Sequence, residues 1–204
     1  MAKPVTTAVI LAAGLGTRML PATKAVPKEM LPLVDRPLID WCVDEAVAAG
    51  ITRIVFVIAE GKESILEHFR AGARVETALR ETGNQALADS LAAIAAKAEF
   101  HAVYQPKQLG IAHAVACARE FVEGQPFALL FPDDVILGRR SCTAQLVAAY
   151  EELGGNVIGV EAVPETETHK DGIVDPESRD GDRIRMKGMV EKPVQGTAPS
   201  NLSI

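Results

Sequence analysis

Cysteine is scarce and unpatterned: Cys42, Cys117 and Cys142 are odd in number and lie far apart in 204 residues. No Cys-x-x-Cys pair occurs, so neither a disulfide framework nor a zinc site is indicated, and the three are read as reduced core thiols. No apolar run approaches the ~20 residues of a membrane-spanning helix. The opening Met1-Ala2-Lys3-Pro4-Val5-Thr6-Thr7 leads into the first apolar run without a signal-type segment. A cytoplasmic protein with no membrane partner is expected. An excess of positive charge is missing too. The chain carries 21 Lys and Arg against 27 Asp and Glu, a net charge of −6. That argues against a general nucleic-acid binder, whose affinity rests on many cations sharing one face. A small phosphate ligand held by a local basic loop remains compatible. There is no internal repeat and no low-complexity segment. Tryptophan occurs once, as Trp41, and is read as packing.

At 48% hydrophobic, the sequence can bury the core of one sizeable domain spanning 1–204. Its organising stretch is Ile10 to Glu29. The apolar run from Ala8 to Ala13 has the length of a buried strand and breaks at Gly14 and Gly16, where backbone can approach a ligand closely. Arg18, Lys24 and Lys28 follow, Glu29 is the single acid of the stretch, and Pro21 and Pro27 stiffen a segment unsuited to helix. Gly14-Leu15-Gly16 begins like a dinucleotide fingerprint, but Met19 stands where the third glycine belongs, and no Gly-Lys-Ser/Thr follows for a P-loop. A phosphate cradle and an ordinary α/β loop are both open on these residues alone.

Further along, the spacing predicts a helix between Pro37 and Gly50, a strand over 54–59, a helix over 62–69, and helix over 74–98 broken at Gly83-Asn84. A strand is expected over 100–104, a helix over 111–121, a strand over 127–131, a helix over 143–153 and a strand over 156–163. Residues 164–182 read as an exposed connection around a short strand at Ile173-Val174, and 183–190 as the last regular piece. Strands alternating with helices imply an α/β fold, with a mainly parallel sheet and helices on both faces, binding ligands beyond the carboxyl ends of its strands. Asp133 and Asp134 follow a buried strand, where such a sheet presents groups to its ligand, with a turn-capping role as the alternative. His113 lies one turn into a predicted helix and is read as packed or backbone-bonded, without a catalytic role.

The string Gly14-Leu-Gly-Thr-Arg-Met-Leu-Pro-Ala-Thr-Lys-Ala-Val-Pro-Lys-Glu-Met-Leu-Pro32 closely resembles the nucleotide-binding signature of bacterial UTP–glucose-1-phosphate uridylyltransferases, within the sugar-1-phosphate nucleotidyltransferases. The related thymidylyltransferases read Ala-Val-Ser-Lys-Gln-Leu-Leu-Pro here, so Lys24, Pro27 and Glu29 favour the uridylyl branch. Val75 to Gly83 resembles that family's Glu-containing helical insert, Tyr104 to Val115 its base-recognition segment, Asp171 to Asp175 its sugar-binding strand and Glu191-Lys192-Pro193 its Glu-Lys-Pro element. Ala112 and Asp171 depart from the glycine and tyrosine usual at their positions.

The resemblance implies a Rossmann-like fold of the nucleotide-diphospho-sugar transferase type and synthesis of UDP-glucose and pyrophosphate from UTP and glucose 1-phosphate. It implies that Ala13, Gly14 and Gly16 hold the nucleotide with Gln105 and Gly110 at the base, and that Arg18 and Lys28 bind the triphosphate. Asp133 would hold Mg²⁺, Gly172 and Glu191 the sugar, and Lys192 the sugar's phosphate. A glutamine amide, both donor and acceptor, matches the paired acceptor and N–H of uracil. The family continues past Ser200-Asn201-Leu202 with a further metal aspartate and elements of a homo-oligomer, whereas this sequence ends at Ile204. One nucleotidyltransferase domain without the family's C-terminal region is expected, oligomeric when full length. Two alternatives stay open: a relative using another nucleotide or sugar, and a non-catalytic nucleotide-binding domain.

Overall fold

Six consecutive residues, Thr7-Ala-Val-Ile-Leu-Ala12, are almost entirely buried and form β1. A strand apolar at nearly every position can only be satisfied when both faces of its sheet are covered, and that is what surrounds it. The computed structural model describes residues 2–204, which gather into two compact units, 2–154 and 155–204. In the first, β1 pairs in parallel with β4 (Arg53–Ile58) from Thr7↔Arg53 to Ala12↔Ile58, and with β6 (Ala128–Leu130) from Ala8↔Ala128 to Ile10↔Leu130. β4 pairs in parallel with β5 (Glu99–Tyr104). The order β5-β4-β1-β6 is the parallel sheet expected. β2 (Pro32–Leu33) and β3 (Arg36–Pro37) form a separate small ribbon.

Alternation along the strands divides the core in two. Ala8, Ile10 and Ala12 of β1 and Ile54, Phe56 and Ile58 of β4 pack under Ile39, Val43 and Ala46 of α1 (Leu38–Ala48) and Ile65 of α2 (Ser64–His68). Phe56, Phe69 and Phe100 stack there, with ring centroids 4.5–5.9 Å apart. Val9, Val55 and Val57 pack on the other side under Ala114 of α5 (Ile111–Cys117) and Val122 of α6 (Arg119–Val122). Helices therefore cover both faces. The single helix expected over 111–121 is two, because the Ala118 N–H turns back to Val115 O at 3.0 Å and ends the first. The break expected at Gly83 is found, at φ 80°, between α3 (Arg74–Glu81) and α4 (Gln85–Ala95).

The last helix of this unit is α7 (Cys142–Leu153), which starts at Ser141, whose Oγ accepts from the Ala144 N–H at 2.9 Å. Glu45 Oε1 takes the Thr143 N–H at 2.7 Å, so two of the helix's otherwise orphan donors are satisfied. Ser141→Ala is expected to cost about 1 kcal/mol in urea denaturation. A change below the error of the fit would mean that Glu45 alone caps the helix.

The second unit is an antiparallel sheet, β7-β10-β8-β9. Its body is a hairpin of β8 (Gly172–Asp180) and β9 (Arg183–Glu191), paired from Gly172↔Glu191 to Asp180↔Arg183 around Gly181-Asp182. The exposed connection expected over 164–182 is thus half strand. Its solvated residues gave no apolar run, and the turn signal lay in Gly181, at φ 59°. The strand expected over 156–163 shrinks to β7 (Glu161–Ala162), because only Glu161 and Ala162 find partners, in β10 (Leu202–Ser203).

Candidate functional site

In the first unit the chain passes from β1 to β4 to β5 on one side and returns to β6 on the other. The crevice where this order reverses is where open parallel sheets take their ligands. The segments leaving it are Ala13-Gly14-Leu15-Gly16 after β1 and Phe131-Pro132-Asp133-Asp134 after β6.

Gly16 has φ 64°, and a Cβ there would stand 3.2 Å from Thr23 Cγ2 and 3.3 Å from Lys28 Cβ, so both conformation and space require glycine. Thr23 Oγ1 donates to Gly16 O at 2.8 Å, and the chain then makes short 3₁₀ turns at 17–19, 22–24 and 28–30 rather than an α-helix. Gly14 is exposed, and a Cβ there would meet nothing within 4 Å. Beneath the loop lies a lysine that sequence reasoning missed. Lys62, 8% exposed, donates to Ala12 O at 2.7 Å, Gly14 O at 2.6 Å and Glu29 Oε2 at 2.8 Å. All three ammonium protons are used. Glu29 is fully buried, and its Oε1 has no hydrogen-bond partner. The available signal was Glu29 itself, a lone acid among cations that a buried base has to match.

Asp133 sits in a turn closed by the Asp134 N–H on Phe131 O at 3.1 Å, so the turn reading of this pair is correct in part. Its carboxylate lies 2.5 Å from Lys28 Nζ. Burial pushes the Asp133 carboxyl up, but the hydrogen bond and charge of Lys28, with Arg18 adding positive field, outweigh burial and hold it below the ordinary carboxylate range. Arg18 itself is exposed. No group of three or more His, Cys, Asp or Glu side chains suited to a metal occurs among the described residues. One carboxylate facing cations, beside a loop suited to phosphates, fits Mg²⁺, which is held through one or two carboxylates plus substrate phosphates and keeps its waters.

Gln105 begins where β5 ends, its N–H on Ile58 O at 2.8 Å. Its buried amide Nε2 lies 3.2 Å from Gly110 O and 3.1 Å from Nδ1 of half-buried His113. Gly110 has φ 91° and ψ 179°, a conformation reserved to glycine. Gln108, also missed from sequence, donates from Nε2 to Ala13 O at 2.8 Å and ties this segment to the glycine loop. A cleft of about 590 Å³ opens beside Ala59, Glu63, Tyr104 and Gln105. Ala13, Gly14, Gly16, Lys28, Gln105, Gly110 and Asp133 are therefore joined, directly or through Lys62, Gln108 and Arg18's field, around one end of one sheet.

The sugar-side candidates all lie in the second unit. Gly172 and Glu191 are cross-strand partners, and the Lys192 N–H bonds Asp171 O at 3.1 Å, so these motifs stand side by side. A Cβ at Gly172 would meet Ile204 and Met189 side chains at 3.1–3.2 Å. Lys192 Nζ lies 3.1 Å from Glu191 Oε1, with side chains 63% and 67% exposed. Lys192 has φ 45°, unusual for any residue but glycine.

The three cysteines are free thiols, and burial, with Glu45, Asp134 and Asp133 nearby, pushes Cys42 up to about 12. No helix among the described residues is long and apolar enough to cross a membrane.

Residues 7–204 match the family described as nucleotidyl transferase. The UTP–glucose-1-phosphate uridylyltransferase of Bacillus subtilis (strain 168) is 46% identical over 202 residues, 99% of this chain and 69% of that relative. A UTP-bound UGPase from Acinetobacter baumannii superposes with a TM-score of 0.91 at 40% identity, over 98% of this chain and 72% of that one. A UDP-glucose pyrophosphorylase complexed with UDP-glucose gives 0.86 at 33%, over 98% and 73%.

Proposed function

Because this chain belongs to the nucleotidyl transferase family, we propose that it is a UTP–glucose-1-phosphate uridylyltransferase, making UDP-glucose and pyrophosphate from UTP and glucose 1-phosphate. The observation that carries the reading is the meeting of the glycine loop and Asp133 at the reversal of the parallel sheet, bridged by Lys28. The match over residues 7–204 supports treating both units as parts of one nucleotidyltransferase domain.

The nucleophile is a phosphate oxygen of glucose 1-phosphate, already ionised near neutral pH. It attacks the α-phosphorus of UTP, a new P–O bond forms, the bond to the bridging oxygen breaks, and pyrophosphate leaves with that electron pair. No side-chain base is required, so the protein's task is alignment and charge neutralisation. Ala13, Gly14 and Gly16 offer backbone to the nucleotide, and Gln105 and Gly110 receive its base. Arg18 and Lys28 hold the triphosphate, and Lys28 exchanges Asp133 for phosphate as it does so. Asp133, with the substrate phosphates, would hold Mg²⁺, which when bound would supply positive charge against the charge developing on the phosphates. In the second unit, Gly172 and Glu191 are assigned to the sugar and Lys192 to its phosphate. The cross-strand pairing of Gly172 with Glu191 and the Lys192 N–H bond to Asp171 O, which bring these motifs together, support that assignment. The cytoplasm as location, and a homo-oligomer for the full-length protein, belong to the same proposal.

Pyrophosphate release from UTP, glucose 1-phosphate and Mg²⁺, run beside calorimetric titration with UTP, tests the reading. UTP binding with no turnover would reduce it to a nucleotide-binding domain. Arg18→Ala and Lys28→Ala each remove a charge-assisted contact of roughly 1.5–3 kcal/mol, so UTP affinity should fall about ten- to a hundredfold in each. Parent-like binding by both variants would take the loop out of the triphosphate site.

A further inference from the structure

His113, in the base-recognition segment, makes a side-chain contact with Gln105 that the proposed reaction does not use. Gln105 is 6% exposed, so its amide cannot rely on water for its donors. Nε2 stands 3.2 Å from Gly110 O and 3.1 Å from His113 Nδ1. A peptide carbonyl only accepts, so Gly110 fixes which end of the amide faces it, and the two amide protons find two acceptors. The second acceptor has to be the Nδ1 lone pair, which puts the proton of a neutral His113 on Nε2. Both donors of Gln105 are spent within the chain, so the two-point donor-and-acceptor match to uracil expected from the sequence is reduced to one, and Oε1 is what the amide has left for a ligand.

We propose that His113 is a positioning residue that sets nucleotide specificity, by locking Gln105 with its carbonyl oxygen toward the base. The inference rests on the reading of Gln105 as the residue that meets the base. An acceptor fixed there pairs with the N3–H of uracil and repels the N3 lone pair of cytosine. A glutamine free to turn offers either face and separates the two pyrimidines poorly. Gly110 alone holds one amide proton and leaves the torsion soft; the second contact, 3 residues into α5, removes that freedom.

The test is calorimetric titration of the parent, Gln105→Leu, His113→Leu and His113→Asn with UTP and with CTP. The parent should prefer UTP, and His113→Leu should lose about tenfold of that preference, the scale of one hydrogen bond. His113→Asn should recover most of the loss, because its Oδ1 can stand near the place of Nδ1 as an acceptor; a merely structural histidine would not be rescued in this ratio. A His113→Leu variant with the parent's ratio, while Gln105→Leu loses it, overturns the lock. If Gln105→Leu also keeps the ratio, or the parent binds both nucleotides alike, the base reading itself fails. Should His113→Leu not fold, the ¹⁵N shifts of the parent's His113 ring decide: an unprotonated, hydrogen-bonded Nδ1 supports the lock, and a protonated Nδ1 overturns it.

Discussion

Lys62→Ala should lose about 3–5 kcal/mol of stability, the cost of removing one partner from a buried ion pair. Lys62 is nearly buried and Glu29 wholly so, and the ammonium is also the donor to Ala12 O and Gly14 O. Removing it strands a carboxylate and two loop carbonyls together, each a desolvated group with no replacement. Glu29→Gln should be milder: the Lys62 ammonium loses its counter-charge but keeps Ala12 O, Gly14 O and a carboxamide oxygen as acceptors, so all three of its hydrogen bonds remain. Pairing Lys62→Met with Glu29→Leu should recover part of the loss, because a well-packed apolar pair tolerates burial that a lone charge does not. Guanidinium denaturation of the set gives the answer. Should Lys62→Ala fall within about 1 kcal/mol of the parent, the size of an ordinary surface effect, the pair does not hold the loop.

Asp133→Asn keeps the shape of the side chain and removes the charge that recruits Mg²⁺. Turnover in the pyrophosphate assay should drop roughly a hundred- to a thousandfold, the range seen when one preorganised electrostatic group is deleted. Binding of UTP without added metal should move the other way. Lys28 is held by Asp133 at 2.5 Å, and the triphosphate has to take that lysine from the carboxylate. Neutralising Asp133 frees it, so metal-free UTP affinity should rise while turnover falls. Asp134→Asn should be milder on both counts. The reverse ranking would show that the wrong carboxylate was assigned.

The fold was legible wherever burial writes a pattern. The β1 and β4 strands are apolar at nearly every position and the helices on each face carry matching stripes, so the parallel sheet followed from the sequence. Legibility was partial where a strand is solvated: β9 was expected as a regular piece and the start of β8 at Ile173-Val174, but the charged second half of β8, Pro176 to Asp180, carries no apolar run to mark it. It failed over 156–160, where a β-branched run has no partner to pair with, something no local pattern records. Of the candidate site, the motif residues Gly14, Gly16, Lys28, Gln105 and Asp133 stand out in the sequence, and the structure brings them to one end of one sheet. What stayed hidden was the support beneath it. Lys62 and Gln108 contact backbone carbonyls 48 and 95 residues away, and a side chain that serves another segment's main chain leaves no periodicity, spacing or composition to read.

The backbone of Lys192 makes position 192 a marker of selection. A left-handed conformation costs a residue other than glycine about 1–2 kcal/mol, and Lys192 holds φ 45°. Drift under folding stability alone would replace it by glycine, which relieves the strain, or by asparagine, which tolerates it. If Lys192 holds the sugar's phosphate as proposed, that contact is what offsets the cost. Among relatives of this chain, glycine or asparagine at this point should therefore track lineages that have given up turnover, with lysine persisting where the reaction is still under selection, so that one codon reports on the working state of the enzyme.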